Sequence, residues 1–192
     1  MKRRNLLRGI GISALGLLAF PPQALSIGGL LPELHQAAPD FELDGVVPGE
    51  DQQQGQAVPA RLQLSQFRGR WLVLYFYPRD FTGGCTIEAR GFQKDLAAFH
   101  NAGAEVVGIS ADDPESHAEF CGSEALAFPL LSDPGGNVSR AYGSWIAPFS
   151  QRHTFLIDPN GILRARWVAV RPSGHSQEVL AELRQQQAAL PV

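Results

Sequence analysis

Seven consecutive apolar or aromatic positions, "WLVLYFY" at 71–77, leave no polar face and predict a strand buried on both sides, ended by Pro78. Beyond the Gly83-Gly84 corner, Phe92, Leu96 and Phe99 recur at helical spacing and predict an amphipathic helix closed over 101–103. "AEVVGIS" predicts a second buried strand. "DPESHAEFCGSEAL" predicts a second helix, with Asp113 as its N-cap and Pro114 in the first turn. "HTFLID", the turn "PNG" and "ILRARWVAV" predict a hairpin, and "GHSQEVLAELRQQQAAL" a closing helix. By contrast "DGVVPGEDQQQGQAVPA", 44–60, holds neither period and reads as a solvated insertion loop without chemistry of its own. The order strand, helix, strand, helix, hairpin, helix predicts an α/β chain with a central mixed β-sheet and helices on both faces.

That order is the order of a thioredoxin-like fold. At 192 residues and 44% apolar, the chain suffices for one well-buried core. Residues 1–26 read differently. Lys2, Arg3, Arg4 and Arg8 precede the acid-free run "GIGISALGLLAF" and then "PPQALS", with Ala24 and Ser26 as the small residues of a cleavage point, which is the layout of a signal peptide. The run is shorter than the roughly 20 residues that cross a bilayer, and Gly9, Gly11, Ser13 and Gly16 dilute it, so no stable membrane insertion is expected after processing. The adjacent Arg3 and Arg4 suggest twin-arginine export more than the general Sec route, and both routes stay open. The expectation is a leader over 1–26 and one domain over 27–192, exported to a periplasm or a thylakoid lumen.

Without the leader, 12 basic residues face 19 acidic ones, a net charge of −7 that argues against nucleic acid as a partner. No CxxC and no Cys/His cluster at metal-ligand spacing occurs, so neither metal nor cofactor is expected. There are two cysteines, Cys85 and Cys121. In an exported domain a plain stabilising disulfide between them is an open reading.

Cys85 falls at the first turn of the first predicted helix, directly after Thr82-Gly83-Gly84. Free N–H groups and the positive end of the helix dipole favour a thiolate there. Gly83 and Gly84 let the backbone approach a small ligand, Pro78 fixes the loop, and Thr82 can turn its hydroxyl toward the same place. Such a nest suits an anion or a small oxygen compound. On the residues alone, plainer roles stay open: Thr82 as a helix cap, Pro78 as a strand terminator, Glu88 as a first-turn acid, Arg152 as a surface arginine. His100, His117, His153 and His175 have no partner pattern.

Pro78, Thr82 and Cys85 stand at the spacing PxxxTxxC, and "YFYPRDFTGGCTIEARGF" resembles the active-site motif of peroxiredoxins of the Q group, also called bacterioferritin comigratory protein. "APDFEL", "LSQFRGRWLVLYFYP", "VVGISADD", "FPLLSD", "AYGSW" and "RHTFLIDPNG" extend the resemblance in order from Ala38 to the last helix. It implies a thiol peroxidase that reduces hydrogen peroxide and organic hydroperoxides and is recycled by thioredoxin or a similar thiol, with a monomer as the expected state. Cys85 would be the peroxidatic nucleophile and become a sulfenic acid. Thr82 would hold the peroxide, Pro78 shield the pocket, Arg152 stabilise the thiolate and the leaving oxygen, and Glu88 orient Arg152.

The chain departs from this pattern in three places. Arg90 occupies the position where many of the group carry a resolving cysteine, CxxxxC, so Cys121, 36 residues after Cys85, is the remaining candidate. The resemblance implies that Cys121 condenses with the oxidised Cys85 after local unwinding of the helix, which Gly122 eases. A one-cysteine enzyme with an inert Cys121, and a non-catalytic domain with a permanent disulfide, stay open beside it. Gly83 replaces a usual proline, and the segment "GSWIAPFSQRH" is short, which bears on peroxide preference.

Overall fold

The computed structural model describes residues 25–26, 28–49 and 56–189. The expected leader over 1–26 lies outside the described residues except at Leu25–Ser26. That pair forms β1, joined to β2 (Gly29–Leu30). The main elements follow as β3 (Glu42–Pro48), β4 (Ala57–Gln63), β5 (Trp71–Phe76), α1 (Gly83–Asn101), β6 (Ala104–Ser110) and α2 (Pro114–Glu124). Then come β7 (Leu130–Ser132), α3 (Asn137–Ala141), β8 (Trp145–Ile146), β9 (Phe149–Ser150), β10 (His153–Ile157), β11 (Leu163–Trp167) and α4 (His175–Ala189). Among the described residues no helix is long and apolar enough to cross a membrane.

Seven strands form one sheet in the order β11-β10-β5-β6-β7-β3-β4. β5, β6 and β7 run parallel, while β10, β11, β3 and β4 pair antiparallel, so the sheet is mixed as expected. Every residue of β5 is buried because alternate side chains feed two different cores. Trp71, Val73 and Tyr75 face Phe92, Leu96 and Phe99 of α1, with Phe120 of α2 and Leu183 of α4 in the same layer. Leu72, Leu74 and Phe76 face Val138 of α3, Tyr142 and Phe155 on the other side. Among the described residues helices cover both faces, but unequally: α1, α2 and α4 pack on one, and the short α3 and a 3-10 turn at Leu64–Phe67 on the other.

The expectation of a solvated loop over 44–60 is corrected. Residues 42–48 and 57–63 pair as an antiparallel hairpin, and β3 joins it to the sheet through Gly45↔Leu131 and Val46↔Leu130. Pro59 lies on β4, the outermost strand, where a missing N–H leaves no central ladder bond unmade. Gly45 is required by packing: a side-chain carbon there would stand 2.2 Å from the Leu130 carbonyl oxygen. Both residues mimic turn signals, which hid the strands. The short elements β7 and α3 were likewise absent from the expected order.

The helix signals held. Asp113 accepts a hydrogen bond from the Ser116 N–H at 2.8 Å and caps α2, with Pro114 at its first position. α1 ends at Asn101, and Gly103 takes a φ of 66°, a left-handed conformation that glycine adopts without strain. β11 stops at Trp167, three residues before the predicted strand end, and Ala169 turns the chain with a φ of 53°.

Candidate active site

The connection from β5 to α1 builds the site. Pro78 is half-buried just beyond the strand. Phe81 adopts a φ of 58°, a left-handed conformation costing a side-chain-bearing residue about 1–2 kcal/mol. It is 53% exposed and stands edge-on to Phe120 of α2, with ring centroids 5.2 Å apart. This strained turn leads into Thr82 at the N-cap of α1 and Cys85 in the first turn.

Cys85 is 1% exposed. The Thr82 hydroxyl lies 2.8 Å from its sulfur and 3.0 Å from the Arg79 carbonyl oxygen, and it makes no cap bond to the helix backbone. Thr82 thus occupies the cap position without capping. Its hydroxyl carries one proton for two acceptors, so a thiolate on Cys85 competes with Arg79 for it.

Arg152, at the entry to β10, brings its guanidinium over the same helix turn. One terminal nitrogen lies 3.3 Å from the Cys85 sulfur, and the other donates to Glu88 in a close ion pair. Gly84 makes room: a side-chain carbon there would meet that first nitrogen at 3.0 Å. Among the described residues nothing lies within 4 Å of the corresponding position at Gly83. Glu88 is buried one helical turn after Cys85. Burial pushes its carboxyl up to about 7, against the charge and hydrogen bond of Arg152, which pull it down. Burial also opposes the charge on Arg152, but Glu88 and the Cys85 sulfur outweigh it and raise the guanidinium above its ordinary value.

Cys121 is buried on α2, in the same apolar layer as Cys85, and both cysteines are free. Burial pushes the Cys121 thiol up to about 12, and the nearby charge of Asp80 adds to the rise. Two contacts tie the end of α2 to α1. Arg90 grips Glu124 through Nε at 2.5 Å and a terminal nitrogen at 3.2 Å, and the Ala127 N–H donates to Gln93 at 2.7 Å.

Cys85, Thr82, Arg152 and Glu88 therefore converge on one point, Pro78 stands on the loop leading to it, and Cys121 lies on the neighbouring helix. Sequence reasoning missed a polar cluster on the same loop. Asp80 is buried and accepts from the Tyr77 hydroxyl and the Ser116 hydroxyl, each at 2.8 Å, and lies 2.9 Å from His117 Nδ1. The Asp80 N–H donates to Asp112 at 2.9 Å. The available signal was the spacing of His117 and Cys121, four residues apart on one helix face. Of the other histidines, His175 bonds Thr154 at 2.8 Å, and burial pushes it down to about 4.

The profile of the AhpC/TSA family matches residues 34–166. Peroxiredoxin Bcp of Xanthomonas campestris is 41% identical over 130 residues, covering 63% of this chain and 81% of the relative. Peroxiredoxin Bcp of Bacillus subtilis is 35% identical over 160 residues, covering 79% and 95%. Among solved structures, Xanthomonas campestris peroxiredoxin Q superposes with a TM-score of 0.66 at 34% identity, covering 74% of this chain and 89% of that one. Reduced 2-Cys peroxiredoxin of Plasmodium vivax gives 0.71 at 30% identity, covering 81% and 97%. With a family match across most of the described chain and a buried thiol at a helix N-terminus, the chain belongs to the AhpC/TSA family as a thiol peroxidase, a peroxiredoxin of the Bcp and Q kind.

Proposed function

We propose that the chain is an exported, monomeric peroxiredoxin that reduces hydrogen peroxide and organic hydroperoxides at Cys85 and is recycled through a disulfide to Cys121 by thioredoxin or a similar dithiol. The observation that carries this reading is the convergence of the Thr82 hydroxyl and the Arg152 guanidinium on the Cys85 sulfur. The thiolate attacks one peroxide oxygen, an S–O bond forms and the O–O bond breaks. The leaving oxygen takes a proton and departs as water or an alcohol. Arg152 stabilises the charge that develops on that oxygen, and Thr82 positions the substrate beside the sulfur. Glu88 fixes the guanidinium, and Pro78 limits water at the loop.

In the second step the Cys121 sulfur attacks the sulfenic sulfur of Cys85, the S–S bond forms and hydroxide leaves as water. Two cysteine-to-serine variants of Xanthomonas campestris peroxiredoxin Q lie 36 positions apart, the separation of Cys85 and Cys121 here, which supports Cys121 as the resolving thiol. Thioredoxin as reductant is supported by the 36% identity over 159 residues to the thioredoxin-dependent peroxide reductase of Drosophila melanogaster mitochondria, of which this chain covers 64%. Organic hydroperoxides are supported by the alkyl peroxide reduction studied in Xanthomonas campestris bacterioferritin comigratory protein, 32% identical. Export rests on the leader pattern of residues 1–26.

Peroxide consumption coupled to thioredoxin and its reductase tests this reading. Wild type turns over, Cys85→Ser does not, and Cys121→Ser completes one oxidation and stalls. A Cys121→Ser variant that cycles as fast as wild type overturns the two-cysteine cycle.

A further inference from the structure

The proposed cycle gives Cys121 a demanding task, because its buried thiol resists ionisation and must nevertheless act as a nucleophile. Its helix supplies a base one turn away. His117 is 0% exposed and stands four residues before Cys121, and helical side chains tilt toward the N-terminus, so the Cys121 side chain leans back toward His117. Asp80 lies 2.9 Å from His117 Nδ1. A carboxylate only accepts, so Nδ1 of the neutral ring carries the proton and Nε2 keeps its lone pair. Nε2 is buried and has no hydrogen-bond partner among the described residues. The ring is thus held in one tautomer with a proton acceptor left unused.

We propose that the Asp80–His117 pair is the base that activates Cys121 for disulfide formation. The inference rests on the resolving role of Cys121. Once local unwinding admits the two sulfurs to each other, His117 Nε2 takes the Cys121 S–H proton. The Cys121 sulfur attacks Cys85, the S–O bond of the sulfenic acid breaks, and the departing hydroxide recovers a proton from the imidazolium as water. Cys121 is oxidised and the Cys85 sulfenic acid reduced to the shared disulfide, with no further reactant. Asp80 has a second connection that suits this task. Through Ser116, His117 and Asp112 it binds the loop before Cys85 to the start of α2, so the base sits between the two segments that carry the reacting thiols. The ionisable groups hydrogen-bonded to the ring are Asp80 and Tyr77 from that loop, with Asp112 behind Asp80, and Cys121 stands one turn further along its own helix.

The test is the pH profile of the resolving step alone. Reduced full-length protein is mixed with one equivalent of hydrogen peroxide, quenched in acid at intervals, and its sulfenic and disulfide forms are separated by intact mass. His117→Asn retains an amide that can donate to Asp80 but lacks a basic nitrogen. It is expected to form the disulfide about 10²-fold more slowly near neutral pH, within the range of general-base contributions, and to accelerate about tenfold per pH unit as hydroxide takes over. Wild type follows a flatter profile. Asp80→Asn, whose amide can donate to Nδ1 and so reverse the tautomer, is expected to give the same steep profile and serves if His117→Asn does not fold. A variant slowed equally at every pH, or not slowed, overturns the base and leaves the cluster a structural clamp. Absence of any Cys85–Cys121 disulfide in wild type overturns the resolving role itself, and the base with it.

Discussion

A terminal nitrogen of Arg152 stands 3.3 Å from the sulfur of Cys85, while the other holds buried Glu88. One planar fork therefore serves the reacting sulfur and its own anchor at once, a geometry the single ammonium of lysine does not reproduce. Arg152→Lys is expected to lower kcat/KM for hydrogen peroxide by about 10²–10³, the range for removing one donor from a developing oxyanion. Stopped-flow oxidation of the reduced protein measures it.

Thr82 offers a hydroxyl rather than a cap. Thr82→Val keeps the shape and removes the proton donor, so kcat/KM should fall at least about tenfold, the worth of a hydrogen bond to a charged group. Thr82→Ser should retain most of the activity. A loss in Thr82→Ser with Thr82→Val unaffected would indicate that the methyl group matters and the hydroxyl does not.

Glu88 gives stability a pH dependence. Its folded-state value of about 7 lies above its ordinary 4.5, so between these values the folded chain holds a proton that the unfolded chain has released. That contribution is fully present below about 4.5 and is lost as pH rises through about 7. Thermal melts of wild type and Glu88→Gln across this window should show wild type losing ground to the variant as pH increases.

Gly83 is free of steric demand, and the Thr82 backbone before it, φ −85° and ψ 145°, already suits a following proline. Gly83→Pro at the first helical position should stabilise the fold by about 0.4–1 kcal/mol, or a few degrees in Tm. Because it stiffens the turn that must open, disulfide formation should slow while oxidation of Cys85 persists.

Arg90, in the body of α1, and Glu124, at the end of α2, join the two helices that carry the thiols. Arg90 is largely exposed, so solvent weakens the pair and its hold on the two helices is slight. Arg90→Ala should accelerate disulfide formation slightly and reduce over-oxidation of Cys85 under excess peroxide. Intact mass over a peroxide titration distinguishes this from no effect.

The strands that feed two cores were legible because burial on both faces leaves an unbroken apolar run, as at Trp71–Phe76. The β3–β4 hairpin was not. It lies at the sheet edge, where Gly45 answers to the Leu130 carbonyl and Pro59 is tolerated, and both residues carry the signature of turns. The site was legible where chemistry is local: Thr82, Cys85 and Glu88 lie within one helix entry, and the family pattern added Arg152 from across the sheet. Asp80 and His117 are 37 residues apart and meet only because the β5–α1 loop folds onto α2. Neither carries a spacing rule that announces the other.

The two-cysteine cycle is tested by peptide mapping of the purified protein after one equivalent of peroxide under non-reducing conditions. A single disulfide joining Cys85 to Cys121, with all of the peroxide consumed, is the predicted result. Two alkylatable thiols beside unconsumed peroxide would contradict the account at its root.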